Sequence, residues 1–598
     1  MKMGKYTNEK NAQVLLALLK AYGIRKIVVS PGSTNIPISG SVQNDDFFEV
    51  YSSVDERSAA YIACGLSAKT GEAVALSCTG ATASRNYLPG LTEAYYRKLP
   101  VIAITSFTGN DKVGQLVPQI IDRNVLPNDA AKLSVQLPFV KDAQDEWHCN
   151  MLVNQALNAA LSEGGGPVHI NLPSSYSGVF DANELPPQRV IKSLDRLDDW
   201  PDIRGKRIAL FIGSHRAFTE SEVQAIETFC ASRDAIVACD HTSGYKGNYR
   251  IQSALIASNF RTQRWRALLP DLVIHIGEVS GDYFGSRILE DAPEVWRVSY
   301  DSTLRDPGKH LRYNFHGNIV DFFSRFSSGT DKNTFYADWQ ASDAALREQL
   351  PEFPFSNVWL ANQITPHLAD GTNVYLGILN SLRSWNFFNV PAGVNTSSNV
   401  GGFGIDGCLS AMLGGALASP DQLNLCVLGD LAFFYDMNVL GNRHLSGNIR
   451  IALINNGCGV EFNNSSHIAS EYKSGPNKLI AAGGHFNSGV AGSEHILPTT
   501  KRKETSLAKA WCEANGFTYA AATSKDEFLD LTKTLLDDTA NRPVIVECFT
   551  NVADESRALE LITTVDPTNY DRAVVAAKKI LSPKLKTRVR KVLKGISR

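Results

Sequence analysis

Residues 424–430 read NLCVLGD and residues 450–456 read RIALINN, and both stretches are typical of apolar strands that end in polar residues. Twenty-five residues lie between Asp430 and Asn456, which is enough for one helix and a return strand in a right-handed crossover. The spacing therefore predicts two adjacent parallel strands. Asp430 and Asn456 would lie together at the carboxyl ends, where α/β sheets bind ligands.

Asp430 and Asn456 together offer the ligands of a metal site. A carboxylate and an amide oxygen are hard ligands that suit Mg²⁺ or Ca²⁺, with phosphates, a backbone carbonyl and water completing such sites. A helix that follows Asp430 would also present free N–H groups to a diphosphate. The ordinary alternative is that Asp430 is a helix N-cap and Asn455-Asn456 a turn. From these residues alone, both interpretations stay open.

Most of the chain shows the same alternation of buried strands and amphipathic helices, which predicts an α/β fold. We expect three consecutive doubly wound parallel-sheet domains, at 1–185, 200–330 (a Rossmann-like middle domain) and 350–570. The polar stretch 184–201 contains several prolines and is expected to be a linker. Residues 571–598 form a basic tail, expected to be a helix on a partner subunit or a solvated arm.

Composition excludes several classes of protein. The 598 residues are 43% hydrophobic and 20% charged, and 59 Lys and Arg balance 61 Asp and Glu, so nucleic acid is not an expected partner. The polar start lacks the apolar core of a signal peptide, and no apolar run is long enough to span a membrane. The ten cysteines form no CxxC pair. We therefore expect a cytoplasmic protein with reduced thiols.

Polar residues also follow the strands of the first predicted domain. They lie in Ser30-Pro-Gly-Ser33, in Asp55-Glu56-Arg57 and in Cys78-Thr-Gly-Ala-Thr82. Because the carboxyl ends of parallel strands meet at one edge of a sheet, these segments are expected to converge. Glu56 has a simpler alternative, since an acidic residue at a helix N-terminus is favoured by the helix dipole.

These segments carry a family resemblance. The chain resembles thiamine diphosphate (ThDP) enzymes of the 2-oxo acid decarboxylase and acetolactate synthase type, and among them the 2-succinyl-5-enolpyruvyl-6-hydroxy-3-cyclohexene-1-carboxylate (SEPHCHC) synthases of the menaquinone pathway. The matching stretches are SPGSTNIPI from Ser30, DERSAAYIACGLSAKTG from Asp55, CTGATASRNYLPGLTEA from Cys78, GPVHINLP from Gly166, GFGIDGCLSAMLGGAL from Gly402, GDLAFFYDMNVL from Gly429 and INNGCG from Ile454. The middle domain matches weakly, and the basic tail does not match.

The resemblance implies a cofactor and roles for individual residues. The first domain would bind the pyrimidine ring of ThDP and the last its diphosphate with Mg²⁺ (or Ca²⁺ or Mn²⁺), with active sites between the subunits of a homodimer or homotetramer. Glu56 would be the cofactor-activating carboxylate, with Ser33 and Gln119 facing the reacting centre. Asp430, Asn456 and the backbone carbonyl of Cys458 would bind the metal. The other cofactor contacts implied are Thr82, Asn86, Ser381, Gly404, Ile405, Gly429 and Leu431.

The chain departs from the SEPHCHC synthase pattern where that family places arginines around carboxylate-rich substrates. The corresponding positions are Thr34, Thr108, Trp385 and Val400, although Arg383 is two residues from Trp385. Since arginine forks are how a site pairs several carboxylates, their loss argues against isochorismate and 2-oxoglutarate as substrates.

One further departure adds a charged group. An apolar position near the cofactor's thiazolium ring in that family aligns with Glu461 here. A carboxylate in that place would be a general acid or base. The alternative is a small shift of the loop that turns Glu461 into solvent, because a buried charge without a partner is costly.

The resulting hypothesis is a ThDP-dependent enzyme that decarboxylates a 2-oxo acid and transfers the carbanion equivalent to an acceptor. Simple decarboxylation, SEPHCHC synthase activity and a non-catalytic ThDP-fold subunit are the alternatives. A nicotinamide dehydrogenase is disfavoured because no GxGxxG follows any predicted strand. The sequence leaves five points open: the donor, the acceptor, the pathway, the oligomeric state (dimer or tetramer) and the role of the tail.

Overall fold

The computed structural model of this chain describes residues 5–566, except for 124, 163, 198–199, 261, 327–328, 330, 332, 465–466, 468 and 470–498. The chain divides into two compact units, one comprising Met1–Asp202 with Ser299–Gly317 and the other Ile203–Val298 with Asn318–Arg598. The predicted basic tail lies outside the described residues. The predicted domain boundaries, at 1–185, 200–330 and 350–570, stay predictions.

The first unit is built on a six-stranded parallel sheet of order β3-β2-β4-β5-β7-β6, beside a two-stranded antiparallel sheet, β1-β8. The strands are β1 (Tyr6–Thr7), β2 (Lys26–Val29), β3 (Glu49–Ser52), β4 (Val74–Cys78), β5 (Val101–Phe107), β6 (Leu133–Gln136), β7 (Val168–Pro173), β8 (Phe180–Ala182) and β9 (Lys192–Ser193). The α-helices are Lys10–Ala21, Ile36–Gln43, Glu56–Thr70, Thr82–Asn86, Leu88–Tyr96 and Ala143–Leu161, and the 3-10 helices are Ser33–Asn35, Asn110–Lys112 and Leu194–Arg196.

Helices cover both faces of this sheet. Lys10–Ala21 and Ala143–Leu161 pack in one apolar cluster with the sheet, and Glu56–Thr70 and Leu88–Tyr96 pack in another. The spacing of apolar residues explains this, since Leu15, Leu18 and Leu19 recur at helical intervals and are all buried. The unit is therefore doubly wound, as predicted.

The second unit begins with parallel strands in the order β12-β11-β10-β13-β14. The strands are β10 (Ile208–Ile212), β11 (Ile236–Cys239), β12 (Arg250–Gln252), β13 (Leu272–Ile276) and β14 (Val295–Ser299), and the helices are Glu220–Arg233, Ala254–Asn259, Thr262–Leu268 and Arg287–Asp291. The chain then returns to the first unit as β15 (Leu311–His316), which pairs in parallel with β9. Stretch 184–201 is thus not a plain linker, because it contributes a strand and buries Ile191 and Leu194.

The last part of the second unit is a six-stranded parallel sheet of order β17-β16-β18-β19-β21-β20. The strands are β16 (Asn373–Leu376), β17 (Asn395–Ser397), β18 (Asn424–Gly429), β19 (Ile449–Asn455), β20 (Thr518–Ala522) and β21 (Val544–Phe549). The α-helices are Ile319–Ser324, Phe335–Glu348, Asn357–Ile364, Asn380–Trp385, Cys408–Ala418, Asp430–Asp436, Thr499–Glu504, Leu507–Ala514, Lys525–Leu535 and Val552–Ile562, and the 3-10 helices are Thr365–His367, Met437–Gly441 and Val460–Asn463.

The predicted α/β fold with three parallel sheets is confirmed. The two strands quoted at the outset are neighbours, and Gly429 lies opposite Ile454 in their register. Within the described part of the chain, no helix is both long and apolar enough to cross a membrane.

Candidate active site

Asp430 lies where β18 ends and the helix Asp430–Asp436 begins, and its side chain is only 1% exposed. The backbone N–H of Leu431 donates to Oδ1 at 2.8 Å, and that of Gly457 donates to Oδ2 at 2.6 Å. The second bond joins the loop after β18 to the loop after β19. The carboxylate therefore links the two strand ends that carry the predicted metal ligands.

Asn456 and Cys458 are buried in the turn that follows β19. The Cys458 N–H donates to Oδ1 of Asn456 at 3.2 Å, and Gly457 between them has φ +92°, which favours glycine. Burial raises the pKa of the Cys458 thiol to about 12, so the thiol is protonated at neutral pH. The predicted role of Cys458 uses its backbone carbonyl and does not depend on the charge of the thiol, so it stays a prediction.

Three buried carboxylates surround this turn, and one arginine faces them. Burial raises the pKa of Asp430 and of Glu555 to about 7, and it also raises the pKa of Glu547. Arg502 donates to the backbone and side-chain oxygens of Asn455 at 2.9 and 2.6 Å. Such an excess of buried acidic groups fits a divalent cation, which would favour their ionised forms.

The candidate metal ligands include one carboxylate only. Among residues 5–566, apart from the gaps named above, no group of three or more His, Cys, Asp or Glu side chains is arranged to hold a metal. The predicted set instead combines a carboxylate, an amide oxygen and a backbone carbonyl, and oxygen sets of this kind suit Mg²⁺.

The other predicted cofactor contacts of the second unit lie on the loops around Asp430. Ser381 is buried and accepts a hydrogen bond from Nδ2 of Asn357 at 3.1 Å, while the Asn357 N–H donates to the carboxylate of Glu555. Ile405 is partly buried and packs on the apolar cluster behind β18. Gly404, Gly429 and Leu431 are partly exposed, and a Cβ at Gly429 would meet no atom within 4 Å.

The predicted residues of the first unit follow four adjacent strands, β3-β2-β4-β5. Ser33 follows β2, Glu56 follows β3, Thr82 and Asn86 follow β4, and Gln119 follows β5. Glu56 is partly buried and begins a helix whose N-cap is Asp55, which accepts a bond from the Arg57 N–H at 3.0 Å. Ser33, Thr82, Asn86 and Gln119 are exposed, and Gln119 has a positive φ of 63°.

The loops after β2, β4 and β5 approach one another closely. Thr34 donates to the carbonyl of Ser106 at 3.0 Å and also bonds the hydroxyl of Thr79. A Cβ built on Gly80 would lie 3.3 Å from the Ser106 carbonyl and 3.5 Å from the Gln119 carbonyl. The predicted convergence of these segments at one edge of the sheet therefore has a structural basis within the first unit.

Glu461 forms an ion pair with Arg383. Oε1 of Glu461 accepts a bond from Nη2 of Arg383 at 3.0 Å, and Oε2 accepts from Nη1 of Arg383 and from Nδ2 of Asn464. Arg383 also donates to Asn380 and lies over the ring of Tyr283, 5.7 Å from its centroid. The side chains of Arg383 and Glu461 are 11% and 19% exposed, so the carboxylate does not simply extend into solvent.

The sequence of this chain is similar to one protein family and to several known enzymes. Residues 9–126 match the family described as thiamine pyrophosphate enzyme, N-terminal TPP binding domain. The chain is 29% identical over 577 residues to the SEPHCHC synthase of Bacteroides thetaiotaomicron, covering 93% of this chain and 98% of that protein. It is 30% identical over 571 residues to the SEPHCHC synthase of Bacteroides fragilis, with the same coverage.

The chain belongs to the SEPHCHC synthase family of thiamine pyrophosphate enzymes. The family assignment that the sequence motifs suggested is thereby confirmed. The chain is also 30% identical over 461 residues to the SEPHCHC synthase of Desulfotalea psychrophila, covering 73% of this chain and 83% of that protein. As a member of the SEPHCHC synthase family, this chain is a thiamine pyrophosphate-type enzyme.

Sequence reasoning missed two groups of supporting residues. Arg502, flanked by Lys501 and Lys503, resembles a surface residue in the sequence, yet it is buried against Asn455. Glu555 and Asn357 connect Ser381 to the buried acidic groups, although neither lies in a recognisable motif. The only sequence signal for the ion pair was that Arg383 is close to a position where the family places an arginine.

Proposed function

We propose that this chain is a ThDP-dependent carboligase that decarboxylates a 2-oxo acid and transfers the resulting carbanion equivalent to an acceptor. The observation that carries the proposal is the bond from the Gly457 N–H to Oδ2 of Asp430, at 2.6 Å. It joins the two loops that carry Asp430 and Asn456 at the carboxyl ends of adjacent strands. That is where parallel sheets bind cofactors.

The residues present fit the cofactor. Asp430, Asn456 and the backbone carbonyl of Cys458 would hold Mg²⁺, or Ca²⁺ or Mn²⁺ in its place. The remaining contacts would come from Ser381, Gly404, Ile405, Gly429 and Leu431 on the diphosphate side and from Thr82 and Asn86 on the pyrimidine side. When bound, ThDP supplies a carbon nucleophile for the keto group and an electron sink for the loss of CO₂.

The chain's own residues would position groups and move protons. Glu56 would share a proton with a ring nitrogen of the pyrimidine, which its place at the start of a helix near β3 supports. Ser33 and Gln119, both exposed beside this edge of the sheet, would orient the reacting carboxylate or the acceptor. Glu461 is either a general acid/base or the group that neutralises Arg383, and the ion pair supports the second role.

The ion pair also bears on the substrate. In the sequence, Arg383 is the arginine nearest to the positions where SEPHCHC synthases pair carboxylates. Both terminal nitrogens of its guanidinium group already donate hydrogen bonds to Glu461. A neutralised arginine has little affinity left for a second substrate carboxylate. A small 2-oxo acid with one carboxylate, such as pyruvate, is therefore the donor that we propose.

SEPHCHC synthase activity itself is the second candidate. The similarity of this chain to SEPHCHC synthases over 93% of its length favours it.

Simple decarboxylation shares every step of the proposed carboligase reaction up to the loss of CO₂. It differs only in the final acceptor of the carbanion equivalent. The subunits are proposed to form a homodimer or homotetramer with active sites at their interface.

A panel of 2-oxo acids separates these candidates. Purified protein with ThDP and Mg²⁺ is assayed for CO₂ release with and without aldehyde or sugar-like acceptors, and separately with isochorismate plus 2-oxoglutarate. A carboligase forms a new C–C product, whereas a simple decarboxylase releases CO₂ and an aldehyde whatever acceptor is added. Turnover of isochorismate at ordinary enzyme rates establishes the second candidate. Failure to bind ThDP and metal contradicts both and leaves a non-catalytic subunit.

A further inference from the structure

Tyr283 follows β13 in the second unit and is exposed in a segment that is otherwise buried or partly buried. It is 54% exposed, whereas Asp282 is 4% exposed and Gly281 and Gly285 are also buried. Aromatic side chains supply much of the apolar contact in small-molecule sites. An exposed ring in such a segment is therefore a candidate for contact with a ligand.

The packing of its neighbours fixes the position of Tyr283. A Cβ built on Gly281 would lie only 2.2 Å from Cδ2 of Leu382, so the backbone is in close contact with that side chain. On the other side of Tyr283, the ring of Phe284 packs against the ring of Phe387, with the centroids 5.8 Å apart. The segment is thus held before and after Tyr283, and the exposed ring is presented from a rigid support.

Tyr283 forms an aromatic pair with Phe403. The ring centroids are 5.9 Å apart, and the ring planes make an angle of 55°. Phe403 has φ +53°, a backbone conformation that a bulky residue rarely adopts and that is found mostly at functional sites. Phe403 directly precedes Gly404 and Ile405, which are predicted cofactor contacts. The aromatic pair is therefore next to the residues that would hold the cofactor.

The charges beside the aromatic pair cancel. The guanidinium group of Arg383 lies over the Tyr283 ring, 5.7 Å from its centroid, and pairs with the carboxylate of Glu461. Burial raises the pKa of the Tyr283 hydroxyl, while Arg383 lowers it and Glu461 raises it, so both charged groups are close to Tyr283. Since the two charges are opposite and paired, a charged ligand gains little here. An uncharged group loses no ionic hydration on binding.

We propose that Tyr283 and Phe403 determine the specificity for the acceptor substrate by binding an uncharged aromatic ring, as in an aromatic aldehyde. A third ring can meet the aromatic pair in edge-to-face or offset contact, which contributes beyond the area that it buries. This inference rests on the proposed carboligase function, because it names the acceptor of that reaction.

The reaction with pyruvate and benzaldehyde balances without a further reagent. The C–C bond to the carboxylate of pyruvate breaks and releases CO₂. The remaining carbonyl carbon forms a new C–C bond to the aldehyde carbon, whose oxygen takes the electron pair of the C=O bond and one proton. The product is a 2-hydroxy ketone that carries the aromatic ring.

Ring binding is measured on the full-length protein by titration with benzyl alcohol, an uncharged and unreactive probe, followed by saturation-transfer NMR. Glycerol is the uncharged probe without a ring. The variants are Tyr283→Leu and Phe403→Leu, which remove one ring each, and Tyr283→Phe, which keeps the ring. Tyr435→Leu is the matched control, since Tyr435 is a 65% exposed tyrosine of the same unit outside the aromatic pair.

We expect the dissociation constant of benzyl alcohol to weaken by about threefold to tenfold in Tyr283→Leu and in Phe403→Leu. Tyr283→Phe and Tyr435→Leu should match the wild type, and glycerol should not bind. With pyruvate as donor, the ratio of kcat/KM for benzaldehyde to that for acetaldehyde should fall by the same factor in Tyr283→Leu. The fall should come from KM for benzaldehyde, with KM for pyruvate unchanged.

Three results would overturn this inference: wild-type protein that does not bind benzyl alcohol, a Tyr283→Leu variant that binds it as well as the wild type, and a Tyr283→Leu variant with a changed oligomeric state by light scattering. The last would show that Tyr283 packs against a second copy of the chain. Release of CO₂ from pyruvate by the wild-type protein tests the proposed function separately. Ring binding through Tyr283 without CO₂ release would contradict that function alone.

Discussion

Arg383 and Glu461 form a two-point ion pair although 78 positions separate them along the chain. Arg383 is in the helix Asn380–Trp385, two residues after Ser381, and Glu461 follows the turn of Asn456. The pair therefore connects two loops that both carry predicted cofactor contacts. Its chemical effect is to neutralise the charge of Arg383, the arginine that we propose as nearest to the substrate carboxylate.

Replacement of Glu461 by Gln should change the choice of donor. The variant frees the guanidinium group of Arg383, and hydrogen bonds to charged groups contribute about 1.5–3 kcal/mol. We expect the ratio of kcat/KM for 2-oxoglutarate to that for pyruvate to rise about tenfold or more. Steady-state kinetics with both donors measures it. The double variant Glu461→Gln/Arg383→Gln is the control and should lose the gain.

The same variant tests the competing role of Glu461. A general acid/base contributes about 10²–10⁴-fold to a rate, so its loss would lower kcat for every donor by that factor. A uniform fall of this size, with an unchanged donor ratio, would contradict neutralisation of Arg383 as the role of Glu461.

Glu56→Ala should suppress activation of the cofactor without releasing it. We expect exchange of the thiazolium C2 proton to slow by at least about 100-fold, because the carboxylate that shares the pyrimidine proton is gone. ThDP affinity should change little, since the proposed diphosphate contacts all belong to the second unit. Hydrogen–deuterium exchange followed by NMR measures the rate, and calorimetry measures the affinity.

Asp55→Asn is the matched control for Glu56. Asp55 is the neighbouring carboxylate and caps the same helix through the Arg57 N–H, and Asn is an equally good N-cap. This variant should keep wild-type exchange. If both variants slow exchange alike, the effect comes from the helix start and not from the carboxylate of Glu56.

Asp430→Ala should weaken the binding of ThDP and Mg²⁺ together. Loss of a supporting residue alone costs about 10–100-fold in metal affinity, and loss of a direct ligand should cost at least as much. Titration of the cofactor at several Mg²⁺ concentrations measures both constants. Asp436→Asn is the control, because Asp436 ends the same helix and bonds Ser410 at 2.6 and 2.7 Å. Unchanged affinity in the Asp430 variant would contradict the metal site.

The stability of the protein should fall as pH rises, in part because of Asp282. Burial, with the charge of Asp240, raises the pKa of Asp282 from 3.8 to about 7, while Arg383 opposes the shift. Between these pH values the folded state holds a proton that the unfolded chain releases, so the free energy of unfolding decreases with pH. Asp282→Asn should reduce this slope and be more stable at pH 8, by on the order of 2 kcal/mol.

Urea unfolding at pH 5 to 8 measures the slope. Asp301→Asn is the control, because Arg305 lowers the pKa of Asp301 to about 2 and the stability it contributes is lost only below about pH 4. An Asp282 variant whose slope equals that of the wild type would contradict the assignment.

The sequence predicted the strands well because each one is a local pattern. The two strands predicted at 424–430 and 450–456 differ by no more than one residue at either end from β18 (Asn424–Gly429) and β19 (Ile449–Asn455). The prediction of a linker at 184–201 was wrong, because a two-residue strand is stabilised by its partner β15 and not by its own composition. The positions of Asp430 and Asn456 directly after two neighbouring strands followed from their spacing alone.

The α/β fold, the family and the adjacency of the two strand ends could all be predicted from the residues, since periodicity and crossover handedness act over short stretches of chain. The pairing of charges, in contrast, depends on how distant parts of the chain pack. Glu461 meets Arg383 and Arg123 meets the ring of Phe107 because distant elements pack against one another, and no local pattern encodes such contacts. Burial of a charge, and hence its need for a partner, is likewise a property of the packed chain.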